Sequence, residues 1–149
     1  MAVGKVTVLD IALRKIGAGI IDLDSDAFKV ALLEDGQPIA ADFSGTSGDA
    51  RFADLTAEVV GSGYTAGGEA LANVTWTRAG AVVSLNADPT SWSGLDATVK
   101  YAAIYKAAGN GDILAFFDVD DALPAGRVIN SSDFTINWTG GLFSLTRVD

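Results

Sequence analysis

Apolar positions near the start of the chain recur with the spacing of a helix, and further on they recur with the spacing of strands. Leu9, Leu13, Ile16 and Ile20 fall at intervals of four, three and four, which predicts a helix about three turns long over residues 8–20, ending near Gly17 and Gly19. Arg14 and Lys15 lie off that stripe, on the face expected to meet solvent or a neighbour, and the negative end of the helix dipole favours cations there. After an acidic turn, Phe28–Leu33 reads as a buried strand, and Glu34-Asp35-Gly36-Gln37-Pro38 as loop.

Residues 36–54 form a long stretch of small and polar residues that contains Gly45 and Gly48. A segment of that length without a hydrophobic period is usually functional or mobile in a compact domain, so it is expected to be a contact loop, with Phe43, Arg51 and Phe52 as its contacts. From residue 55 the pattern turns to strands. Leu55–Val60 precedes the glycine-rich run from Gly61 to Gly68, and Val74–Thr77 is answered by Val82–Leu85 across a turn at Ala79-Gly80. Val99–Tyr105 and Ile113–Val119 flank Asn110-Gly111, a pair that accepts the positive φ of tight hairpin turns. Phe134–Trp138 alternates with period two before Gly140-Gly141 and Leu142–Leu145. About eight short strands and one N-terminal helix predict an all-β fold, an antiparallel β-sandwich or jelly-roll-like barrel. Residues 1–149 are expected to form a single domain, with 1–27 as the helix and its connecting segment, and no internal repeat is visible.

Composition narrows what such a fold could do. The chain has 149 residues, a formal charge of −9 and a mean hydropathy of +0.31. No apolar run approaches the roughly 18 residues of a membrane helix, so no membrane partner is expected. Residues 21–60 set nine carboxylates against only Lys29 and Arg51, and an acidic surface repels phosphate backbones, which argues against nucleic acid. The opening MAVGKVTVLD lacks the pattern of a signal peptide, so function without secretion is expected.

The chain has no histidine and no cysteine, which removes the commonest general base, the usual nucleophile pairs and the usual transition-metal ligands. Asp118, Asp120 and Asp121 could supply a carboxylate pair, but aspartates that follow a strand more often order a solvated turn. Asp22, Asp24 and Asp26 open like a calcium loop, yet Ala27 stands where the sharp-turn glycine belongs and Leu33 where the bidentate glutamate belongs. The run Gly61-Ser62-Gly63-Tyr64-Thr65-Ala66-Gly67-Gly68 lacks the Gly-Lys-Ser/Thr of a phosphate cradle and leads into a strand. Sequons at Asn73, Asn130 and Asn137 have no secretory context. Trp76 and Trp138 read as core, and Trp92, between Ser91 and Ser93, as a loop-borne exception open to a contact. The expectation is a protein that is not an enzyme, with no catalytic residues, no cofactor and no metal.

Several segments taken in order resemble a family of small virion-associated structural proteins of tailed bacteriophages. They are Ile21–Leu33, Glu58–Gly68, Leu71–Thr75, Tyr101–Tyr105, Ile113–Asp118 and Phe134–Trp138, with Gly-Tyr-Thr-Ala-Gly-Gly over residues 63–68 the most specific. The resemblance spans nearly the whole chain and brings no catalytic motif. It implies a place in the virion after assembly in the host cytoplasm, with the major capsid protein or other virion proteins as partners and a homo-oligomeric arrangement. A capsid decoration or cement protein is the first expectation, and a head-fibre, tail or tail-fibre component that binds a host surface is the alternative. The residues expected to contact other subunits are Arg14, Lys15, Phe43, Arg51, Phe52 and Trp92.

Overall fold

A computed structural model describes residues 6–36, 50–138 and 141–147. Among these, one α-helix and ten strands follow each other as β1 (Thr7–Val8), α1 (Asp10–Gly17), β2 (Phe28–Leu33), β3 (Glu69–Ala70), β4 (Thr75–Ala79), β5 (Val82–Asn86), β6 (Thr90–Val99), β7 (Tyr101–Lys106), β8 (Ile113–Asp118), β9 (Arg127–Ile136) and β10 (Phe143–Thr146). All pairings are antiparallel, and the fold is all-β and sandwich-like, as the alternating pattern predicts. A five-stranded sheet runs β1-β8-β7-β2-β3, a three-stranded sheet β10-β5-β4, and β6 pairs with β9.

The five-stranded sheet holds the centre. Successive residues of β2, β7 and β8 are buried, so these strands are covered on both faces, which their near-continuous apolar sequences require. Val30, Leu32, Ile104 and Leu114 are fully buried, each worth about 1.5–3 kcal/mol relative to exposure. The β7–β8 hairpin forms with Tyr101 opposite Asp118 and Ile104 opposite Ala115, and β4 meets β5 with Trp76 opposite Leu85.

Four expectations change. The helix spans eight residues, because Leu9 is its N-cap in extended conformation and a tight cap ends it. There the N–H of Ile20 donates to Lys15 O at 2.9 Å and that of Gly19 to Ile16 O at 3.0 Å, the Schellman pattern that a left-handed Gly19 permits. Leu13 and Ile20, expected to face the core, are 45% and 49% exposed. Leu55–Val60 does not form a strand. It runs beside the end of β2 through one isolated bridge, Leu33 to Glu58. Finally, β6 and the first half of β9 appear where the sequence reads as loop, since their alternation is broken by the register shifts between Trp92 and Ala97. The middle of the contact loop, including Phe43, lies outside the described residues.

Candidate interaction surface

Four of the carboxylates singled out in the sequence, Asp22, Asp26, Asp118 and Asp120, are engaged in holding the fold. Asp118 pairs with the Lys100 ammonium at 2.6 Å, and Lys100 also donates to Leu123 O at 2.9 Å. The Asp118 hydrogen bond, acting against burial, raises the Lys100 pKa. Asp120 accepts from the Arg127 guanidinium at 3.2 Å and from Ala122 N at 3.3 Å. These bonds order the connection from β8 to β9. Asp22 Oδ1 accepts from Asp24 N at 3.0 Å, and Asp26 Oδ2 accepts from Asp22 N at 2.8 Å while pairing with Lys106 at 2.7 Å. Hydrogen bonds from the Ser25 side chain and the Asp24 backbone hold the Asp22 pKa below its usual value. The acidic turn is thus a set of local caps, and no cluster of three or more ligating side chains occurs among the described residues.

The glycine-rich element is pinned by a polar knot. Tyr64 Oη donates to Glu58 Oε1 at 2.7 Å and accepts from Leu32 N at 3.2 Å. Gly67 N donates to the same Glu58 oxygen at 2.6 Å, and Tyr105 Oη donates to Gly67 O at 2.6 Å. Burial first, and then Glu58, pushes the pKa of both phenols up. Gly68 presses on β2 so closely that a Cβ would lie 1.8 Å from Val30 O. The element is a backbone clamp with no room for a phosphate.

Of the six expected contact residues, Arg14 lies exposed on α1 next to Leu13. Lys15 does not share that surface. It is 4% exposed and bonded to Asp112, a correction that follows from the short helix packing its C-terminal half against the molecule. Trp92 is also corrected. It is 1% exposed, lies on β6 rather than in a loop, and packs on Phe134 at 5.8 Å between centroids. Arg51 and Phe52 are half-buried at the foot of the loop. Phe52 N donates to Gly111 O at 2.8 Å, and its ring stacks on Tyr105 at 4.5 Å. Arg51 bridges to Asp112, the carboxylate that Lys15 reaches, so the foot of the loop lies beside the last turn of α1.

It does form a surface that the strand pattern did not single out. Along the three-stranded sheet, Phe143 and Leu145 on β10, Leu85 and Val83 on β5, and Trp76 and Arg78 on β4 share one face by register. Leu85 is fully buried at one end of this face, while Leu145 is 47% exposed at the other, so the apolar face runs past the core. A groove of about 500 Å³ opens there between β1, α1 and β10, lined by Val6, Val8, Leu13, Leu142, Phe143 and Leu145 among others. A second cleft of about 330 Å³ continues past Leu145 to Val83, Arg78 and Arg147. Among the described residues, no carboxylate lines either one.

Among the described residues, both strands beside the groove are sheet edges. Leu9 N donates to Leu114 O, so alternation turns the backbone of Val8 away from β8. Arg147 N donates to Ala81 O, and the same alternation turns Ser144 and Thr146 outward from β5. Comparison with known protein families, characterised proteins and solved structures finds no match for this chain. The surface beside these edges has a chemistry of its own. It offers outward backbone donors and acceptors beside apolar side chains, the combination that extended segments of other proteins use when they add to a sheet.

Proposed function

We propose that this chain is a non-catalytic structural subunit of a tailed-phage particle, a decoration or cement protein that binds the major capsid protein lattice and stabilises the head. The observation that carries the reading is the apolar groove beside the edges of β1 and β10, in a molecule whose charge pairs, Lys15 with Asp112, Lys100 with Asp118 and Arg127 with Asp120, are engaged in the fold. The family resemblance of the glycine-rich element and the strands around it supplies the virion context. Such a protein acts mechanically. Apolar burial returns about 25 cal/mol per Å², and one small contact barely offsets the cost of docking, but repetition over a symmetric shell multiplies it.

Labelling the protein on intact particles by electron microscopy tests the location, with label on the head expected. Label on the tail would favour the fibre or tail alternative, and absence from the particle would remove both. Particles lacking the protein should assemble but break at lower temperature or milder osmotic shock. Equal survival would end the cement reading.

A further inference from the structure

The turn between β7 and β8 holds a residue that the fold does not account for. Gly111 is required there twice over. Its φ is +68°, and a Cβ on it would lie 3.0 Å from Phe52 Cβ. Asn110 answers to neither need. Asparagine suits turns because it tolerates positive φ and because its side chain bonds to nearby backbone. Asn110 has no positive φ, and its exposed side chain has no hydrogen-bond partner among the described residues.

The amide that follows is equally unengaged. Gly111 O accepts from Phe52 N at 2.8 Å, but Gly111 N donates to no acceptor among the described residues. An exposed carboxamide therefore stands next to a main-chain nitrogen that carries no hydrogen bond and no side chain to screen it. The other asparagines differ. Asn73, Asn86, Asn130 and Asn137 precede Val74, Ala87, Ser131 and Trp138, whose side chains crowd the following nitrogen. Asn73 and Asn86 also donate their side-chain amides to Asp88 and Thr77, and Asn130 is held within β9.

We propose that Asn110-Gly111 is a site of self-modification, a slow deamidation that lengthens the turn and loosens the foot of the loop at residues 50–54. Gly111 N gives up its proton to hydroxide and bonds to Asn110 Cγ, the Cγ–Nδ2 bond breaks, and the side-chain nitrogen leaves as ammonia. A five-membered succinimide is left. One water then opens the ring at either carbonyl, which leaves an aspartyl or an isoaspartyl linkage at residue 110. Nothing is oxidised or reduced, and water is the co-reactant. The foot of the loop is clipped to this turn from both sides, since Phe52 N donates to Gly111 O and Ile113 N donates to Ala50 O at 2.9 Å. An isoaspartyl linkage routes the main chain through the side chain and inserts a methylene just before Gly111. That displaces Gly111 O from Phe52 N and adds a negative charge two residues from Asp112. The site is independent of the proposed assembly role.

The test holds the folded full chain at physiological temperature at pH 6 and at pH 8.5, with brief tryptic mapping at intervals. Cleavage after Lys106 and Arg127 separates Asn110 from every other asparagine. The mass gain of an amide exchanged for an acid is expected in the peptide 107–127, rising with hydroxide, while the peptides that carry the other asparagines stay unchanged over the same interval. Isoaspartyl methyltransferase should label the product, because the succinimide opens to isoaspartate and direct hydrolysis of the side chain does not. Asn110→Ser should fold as wild type and gain neither mass nor label. In the aged wild type, hydrogen exchange should speed up at the amides of Phe52 and Ile113 and stay slow at Ile104, whereas aged Asn110→Ser should keep all three protected. A peptide 107–127 modified no faster than the others, or a product without isoaspartate, would overturn the site. Unchanged protection at Phe52 after modification would overturn its link to the foot of the loop.

Discussion

The Lys15 ammonium meets the Asp112 carboxylate at 2.5 Å in the interior, tying the last turn of α1 to the residue that leads into β8. Both side chains are almost fully buried, so the Asp112 carboxylate relies on the Lys15 cation to offset its lost hydration. Lys15→Met should destabilise by about 3–5 kcal/mol, because it leaves a buried carboxylate without its cation, whereas Lys15→Met with Asp112→Leu should regain most of that loss. Urea unfolding of the wild type, the single variant and the double variant checks this. A single variant within about 0.5 kcal/mol of wild type would mean that water reaches Asp112.

Gly68 and Gly80 both adopt positive φ, +68° and +61°, but their surroundings differ. A Cβ at Gly80 meets nothing within 4 Å, while one at Gly68 would overlap Val30 O. Gly80→Ala should therefore cost only the backbone strain of about 1–2 kcal/mol. Gly68→Ala should cost clearly more, because β2 or the clamp must move. Thermal melts of the two variants side by side measure the difference, and equal losses would show that the contact with Val30 relaxes freely.

The same two glycines show what could be read from the chain. Ala79-Gly80 between two alternating runs is a turn signal complete in itself, and β4 and β5 follow from it. Phe28–Leu33 is legible in the same way, since a run buried on both faces is continuously apolar. That Gly68 lies against Val30 is a tertiary fact with no local sign beyond the density of glycines. β6 was hidden because its turn-like Ser-Trp-Ser-Gly stretch carries bulges, and a bulge shifts the side-chain alternation by which strands are recognised. The groove was hidden for a different reason. Leu13 fits the helical stripe and Leu145 fits a strand, and only the shortness of α1 and the overhang of the three-stranded sheet leave both uncovered.

Trp92 and Trp138 are both buried, yet only one indole N–H has an acceptor among the described residues. Trp138 Nε1 donates to Thr90 Oγ1 at 3.1 Å, and Trp92 Nε1 finds none. Trp→Phe at either site loses ring contacts, but at residue 138 it also strands the buried Thr90 hydroxyl. Trp138→Phe is expected to be less stable than Trp92→Phe by about 1 kcal/mol, the net worth of one such bond. Denaturant midpoints at equal slope decide it, and the opposite order would show that ring packing against Phe134 outweighs the bond.

Alkali should unfold this protein through the clamp that holds the glycine-rich element. Tyr64, Tyr105 and Lys100 all have raised pKa values in the folded state, the phenols through burial and Glu58 and the ammonium through Asp118. A group whose folded pKa lies above its unfolded one stabilises fully below the unfolded value and loses that contribution as pH rises toward the folded one. Unfolded Tyr and Lys titrate at about pH 10 to 10.4, so stability should fall steeply above about pH 10. Tyrosinate absorbance should then rise together with the loss of tertiary structure. Tyr64→Phe cannot ionise, so it should lose stability at pH 7 for want of the Glu58 and Leu32 hydrogen bonds and show a shallower decline in alkali. Stability measured by denaturant from pH 8 to 11.5 checks the sign, and an alkaline slope unchanged in Tyr64→Phe would exclude this phenol as its source.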